Sequence, residues 1–132
     1  MPGAEHDLQV DYIEFPATDI EATKRFYQQV FGWTIEKAEG MDYWLIRTGE
    51  GEPGIDGGLS RRESPTQGSV PQFGFTCTVH VADVQAAFAA AVAAGGSEVH
   101  QPGPVPGVGY AAYVRDTEGN HLGLMQFDHD AR

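Results

Sequence analysis

The chain has 132 residues and a mass of 14.3 kDa, enough for one domain or for two small modules sharing a core. Eight Lys and Arg face 19 Asp and Glu, a formal charge of −11. Nucleic acid, bound through Lys and Arg on phosphate, is therefore not an expected partner, whereas a cationic ligand would be steered inward. The single cysteine, Cys77, allows no intramolecular disulfide and no cysteine-based metal cluster. No apolar run reaches the roughly 18 residues that cross a bilayer. The opening MPGAEHDLQV has no basic segment followed by an apolar one, so a cytoplasmic protein without membrane attachment is expected.

One pattern is written twice along the chain. With a constant offset and no gap, YIEFPATDIEATKRFYQQVFGWTI aligns with TCTVHVADVQAAFAAAVAAGGSEV. Tyr12 falls on Thr76, Phe15 on Val79, Asp19 on Asp83, Gly32 on Gly96 and Ile35 on Val99. Each copy opens with alternation. Ile13 and Phe15 are apolar between Tyr12 and Glu14; Phe73, Phe75, Cys77, Val79 and Val81 alternate with Gln72, Gly74, Thr76, Thr78 and His80. A period of two marks a strand with one face on a core. Asp19 and Asp83 are then N-caps of helices that end at Gly32 and at Gly95–Gly96. In the first helix Ile20, Phe26, Val30 and Phe31, with Tyr27 close by, form the expected packing side; in the second, Val84, Phe88, Ala91 and Val92 do.

Three strand candidates follow each helix: WTIEKA, DYWLIRT and GIDGGLSR in the first copy, SEVHQ, GYAAYVRD and NHLGLMQF in the second. The polar RESPTQGSVP reads as a linker, and QPGPVPGVG as a loop over a site mouth or an ordinary connection. The expected organisation is a first strand–helix–three-strand module at 8–61, a linker at 62–70 and a second module at 71–128. In the last hairpin, Asp116 is placed to bond the turn and Gly119 to supply a positive φ. The class is α+β: two βαβββ modules forming a curved, mixed eight-stranded sheet with helices outside. The face away from the helices would line a cup. Alternation puts Tyr12, Glu14, Thr76 and Thr78 on that face and, if Leu122 and Leu124 face the helix, His121, Gly123 and Met125 as well.

This doubled pattern, with FPATDIEATKRFYQQVFGW early and GYAAYVRDTEGNHLGLMQ late, resembles the vicinal oxygen chelate superfamily. That group includes glyoxalase I, bleomycin and fosfomycin resistance proteins and extradiol dioxygenases. The resemblance covers nearly the whole chain beyond the first several residues and implies the glyoxalase/bleomycin resistance/dioxygenase fold, a small-molecule ligand and a homodimer. Metal-dependent members hold a divalent ion through His, Glu or Gln on the first and last strand of each module. The matching positions here are Tyr12, Gly58, Thr76 and Gly123. Two hydroxyls and two glycines are a poor donor set for such an ion, so no metal and no other cofactor is expected. A relocated site on Glu14 and His121 would have two ligands and no third.

What remains in the expected cup is organic chemistry. Glu14, in a partly apolar concavity, is the candidate proton-transfer group, desolvation raising its pKa; His121 is the second. Tyr12, Thr76 and Thr78 would orient a ligand, with Trp44, Tyr110, Gly123 and Met125 along the wall. Two readings follow: a metal-independent lyase- or isomerase-like enzyme acting on a small oxygenated substrate, or a binding protein that sequesters a ligand without chemistry.

Overall fold

The computed structural model describes residues 8–51, 54–62 and 74–132. The order is β1 (Val10–Ala17), α1 (Ile20–Phe31), β2 (Thr34–Lys37), β3 (Tyr43–Arg47), β4 (Asp56–Arg61), β5 (Thr76–His80), α2 (Val84–Ala93), β6 (Ser97–Val105), β7 (Gly109–Arg115) and β8 (His121–Phe127). Strand–helix–strand–strand–strand therefore occurs twice, in an α+β fold. Apart from Arg62, the expected linker at 62–70 lies outside the described residues, as does Phe73 in the expected first strand of the second module.

The chain divides into two compact units, one spanning Tyr12–Thr76 and the other joining the residues up to Asp11 with Cys77–Arg132. Within the first, the strands lie in the order β2-β3-β4-β1. β1 and β4 are parallel and the other pairs antiparallel. Within the second the order is β5-β8-β7-β6, with β5 and β8 parallel. Val10 and Asp11 at the start of β1, with Leu8 and Gln9 before it, belong to the second unit, where they are pinned. Leu8 N donates to His80 O at 2.7 Å, and His80 N to Gln9 O at 3.0 Å. The Asp11 carboxylate lies 3.1 Å from His80 Nδ1.

Alternation decides each core. Phe15, Ala17, Ile35, Trp44, Ile46 and Leu59 meet Ile20 of α1 in the first unit; Val81, Ala112, Val114 and Leu124 meet Val84 and Phe88 of α2 in the second. Both helices start as expected, Asp19 Oδ1 accepting from Ala22 N and Asp83 Oδ1 from Ala86 N, each at 3.0 Å. Gly32 closes α1 in the left-handed region at φ 73°. Asp116 Oδ1 accepts from Glu118 N and Asn120 N at 2.8 and 2.9 Å, with Gly119 at φ 88°. The hydrogen bonds from the Asn120 side chain and backbone hold the Asp116 carboxyl below its ordinary pKa.

Two expectations are corrected. Phe26, Val30 and Phe31 do not form the packing side of α1; they are 55%, 56% and 58% exposed. Of the expected set Ile20 does pack, and with Tyr27, seven residues on and hence two turns along one face, it holds the helix; Tyr27 stacks on Trp33 at 5.0 Å. In the second correction, strand β6 runs on through QPGPV to Val105 rather than stopping before a loop. Prolines are tolerated there because β6 is the edge strand of its sheet and its register shifts between Glu98 and Gly103.

Candidate functional site

On the face of the first sheet away from α1, three side chains form one hydrogen-bonded chain. Tyr43 Oη donates to Glu14 Oε2 at 2.7 Å, and the Tyr12 and Tyr43 hydroxyls are 2.6 Å apart. Tyr12 and Glu14 are two apart on β1 and so share a face. Tyr43 comes from β3, on the opposite side of β4, and pairs with Ser60. Its ring leans along the sheet to Gly58, which is flanked in register by Glu14 and Leu45. The glycine makes this possible: a Cβ there would collide with the Tyr43 hydroxyl and lie 2.6 Å from that of Tyr12.

Burial and the neighbouring negative charge act together on the two phenols. Burial comes first for Tyr12, whose pKa is pushed up to about 12, with the Glu14 and Asp56 charges adding and the Tyr43 hydrogen bond opposing. Burial, then the Glu14 charge, raises Tyr43 well beyond that. Both hydroxyls keep their protons at any working pH.

The second module repeats the device with other residues. Thr78 pairs with Gly123 between β5 and β8, and Tyr113 pairs with Gly123 between β7 and β8. A Cβ on Gly123 would lie 2.7 Å from Thr78 Oγ1 and 3.2 Å from the Tyr113 ring. His121 stacks on Tyr113 with ring centroids 5.9 Å apart, and Met125 pairs with His80. Leu122 and Leu124 pack with the α2 core, which leaves His121, Gly123 and Met125 on the opposite face. Thr76 is buried. At both glycine positions, then, the room a metal-ligating side chain would take is filled by a neighbour's hydroxyl or ring.

Two wall residues are elsewhere. Trp44 is buried in the α1-side core, with the Arg61 guanidinium 5.3 Å and the Lys37 ammonium 6.0 Å from its ring. Tyr110 packs against the α2-side core and lines a shallow cleft of about 420 Å³ with Ala82, Asp83, Val84, Gln85 and Gln126. Two of its helix-terminal N–H groups are taken, since Gln126 Oε1 accepts from Val84 N at 2.9 Å and Asp83 caps Ala86. Tyr43 is the residue sequence reasoning missed. The sequence held only half of its signal, a glycine where a working side chain is expected; the β3–β4 pairing that brings Tyr43 over it is tertiary.

The donor set does not fit the divalent ion that metal-dependent relatives hold. Glu14 is the one carboxylate of the Tyr12–Tyr43–Glu14 chain, and Tyr43 fills the space above Gly58. Among the described residues no three His, Cys, Asp or Glu side chains gather as a metal-binding group.

Comparison with known proteins agrees with the fold. Methylmalonyl-CoA epimerase from Mycobacterium tuberculosis superposes with a TM-score of 0.66 at 13% identity, over 90% of this chain and 87% of that one. A Streptomyces coelicolor methylmalonyl-CoA epimerase variant in complex with 2-nitronate-propionyl-CoA gives 0.61 at 19%, over 94% and 97%. A hypothetical protein from Bacillus halodurans gives 0.62 at 15%, over 94% and 97%. At such identities the likeness is one of fold. No curated protein matches the sequence. The model of the Glyoxalase/Bleomycin resistance protein/Dioxygenase superfamily matches residues 9–124, and the chain belongs to that superfamily.

Proposed function

We propose that the protein binds a small oxygenated molecule on the Tyr12–Tyr43–Glu14 face and moves a proton with Glu14, as a metal-independent lyase or isomerase. The observation that carries this reading is the hydrogen bond of 2.7 Å from Tyr43 to Glu14, which orients a carboxylate on the sheet face opposite the α1-side core. A positioned carboxylate with a fixed donor is the arrangement a general base needs. The second unit is proposed separately: there His121, on the face of β8 away from the α2 core, is a further proton-transfer candidate, with Thr78, Gly123 and Met125 as ligand-contacting positions of that unit.

The test is a thermal-shift screen of small aldehydes, hydroxy-carbonyl compounds and amines, followed by product analysis for each hit. Glu14→Gln should lower turnover of a converted hit by about a hundredfold or more with the fold retained. Turnover that survives the change removes Glu14 from the mechanism. The second reading, sequestration without chemistry, is favoured by the charge of −11 and would be recognised by a tight hit that yields no product. We further propose a homodimer, as the resemblance implies; a monomer mass in light scattering would dismiss it.

A further inference from the structure

A phenol owns one proton, and that fact fixes the direction of the hydrogen-bond chain over Gly58. Tyr43 spends its proton on Glu14 Oε2 at 2.7 Å. The 2.6 Å contact between Tyr12 and Tyr43 must then be made with the proton of Tyr12. Nothing is left on Tyr12 Oη but lone pairs. The chain keeps this direction across the working pH range, because burial together with the charges of Glu14 and Asp56 opposes ionisation of Tyr12. The same two charges favour a positive or proton-bearing group beside that oxygen and disfavour a negative one.

We infer that the ligand meets Tyr12 with a hydrogen-bond donor, an ammonium, amine or hydroxyl group, and that this cluster refuses carboxylate, thioester carbonyl and enolate oxygens. The inference rests on the reading that this face binds the ligand, and it narrows the class of that ligand. An oxygen that gains negative charge during reaction needs donors aimed at it. Tyr12 and Tyr43 have none to give, since both protons point along the chain towards Glu14. A thioester whose enolate must be held is therefore a poor substrate for this cluster, whatever the fold likeness.

Benzylammonium and benzoate test this, being similar in size with opposite headgroups. Each is titrated into the full-length protein carrying ring-labelled tyrosine, and the Tyr12 resonance is followed by NMR, with Tyr12→Phe identifying it. Wild type should bind benzylammonium about tenfold more tightly than benzoate, the worth of one charge-assisted hydrogen bond. Tyr12→Phe removes the acceptor and leaves the charge of the chain unchanged, so it separates this contact from general attraction of cations to an acidic protein. Its preference for the cation should fall several-fold. Benzoate binding as tightly as benzylammonium, with Tyr12 perturbed, would overturn the inference and leave the ligand face standing. A preference unchanged in Tyr12→Phe would overturn it too. Tyr12 unmoved by both probes would remove the ligand face itself, and the inference with it.

Discussion

Adjacent glycines in β4 carry opposite consequences. A Cβ on Gly57 would run into the backbone carbonyl of Ile13, and a Cβ on Gly58 into the end of the Tyr43 side chain. Backbone in a paired strand cannot yield, whereas a phenol can swing aside. Gly57→Ala should therefore cost about 3 kcal/mol or more in chemical denaturation, and Gly58→Ala under about 1 kcal/mol. Gly58→Ala should nonetheless break the Tyr43–Glu14 bond and lose whatever ligand binding the face has. The phenols give a second prediction. With the folded pKa of Tyr12 raised to about 12 against an ordinary value of 10.0, the unfolded chain ionises first. Its contribution to stability is complete below pH 10 and is lost as pH rises to about 12. Absorbance titration of the phenolate band should show a late-ionising component from Tyr12 and Tyr43 that shrinks by one phenol in Tyr43→Phe. Tyr12 and Glu14 were legible because they alternate with core residues; Tyr43 was not, because its partner is set by strand pairing.

Among the elements, the start of β1 is held by one side-chain pair beside the backbone bonds of Leu8 and Gln9 to His80. His80 is buried, and Asp11 gives it Oδ2 at 3.1 Å while Oδ1 is buried without a hydrogen-bond partner among the described residues. His80→Ala should cost about 2 kcal/mol, since it leaves a carboxylate buried with no partner at all. Adding Asp11→Ala to that variant should restore part of the loss, because no charge is then left stranded; a double variant less stable than the single would refute this account. The sequence showed His80 only as one of the polar residues alternating along its strand, and the pairing of residues 69 apart supplied its partner. The caps at Asp19 and Asp83 were legible because capping is a local bond within one turn. The packing side of α1 was not. Apolar residues cover several directions around that helix, and contact with Trp33 and the sheet selects Tyr27 over Phe26 and Val30.

For the whole molecule the acidic balance has a direct thermodynamic consequence. A charge of −11 repels itself in the folded state, so raising NaCl from near zero to about 0.5 M should raise the melting temperature. A melting temperature that falls with salt would mean that specific ion pairs, such as Arg61 with Asp42 at 3.0 Å, outweigh the general repulsion.

The sequence by itself determined the repeat, the order of elements in each module, the helix caps, the last turn and the superfamily. All of these follow from periodicity or from bonds within a few residues. The tertiary structure alone decided that Trp44 and Tyr110 belong to cores, that β6 absorbs two prolines, and that Tyr43 fills the gap above Gly58. These depend on which strands lie side by side and in what register. Pairing between distant segments is a property of the folded chain that no local pattern encodes.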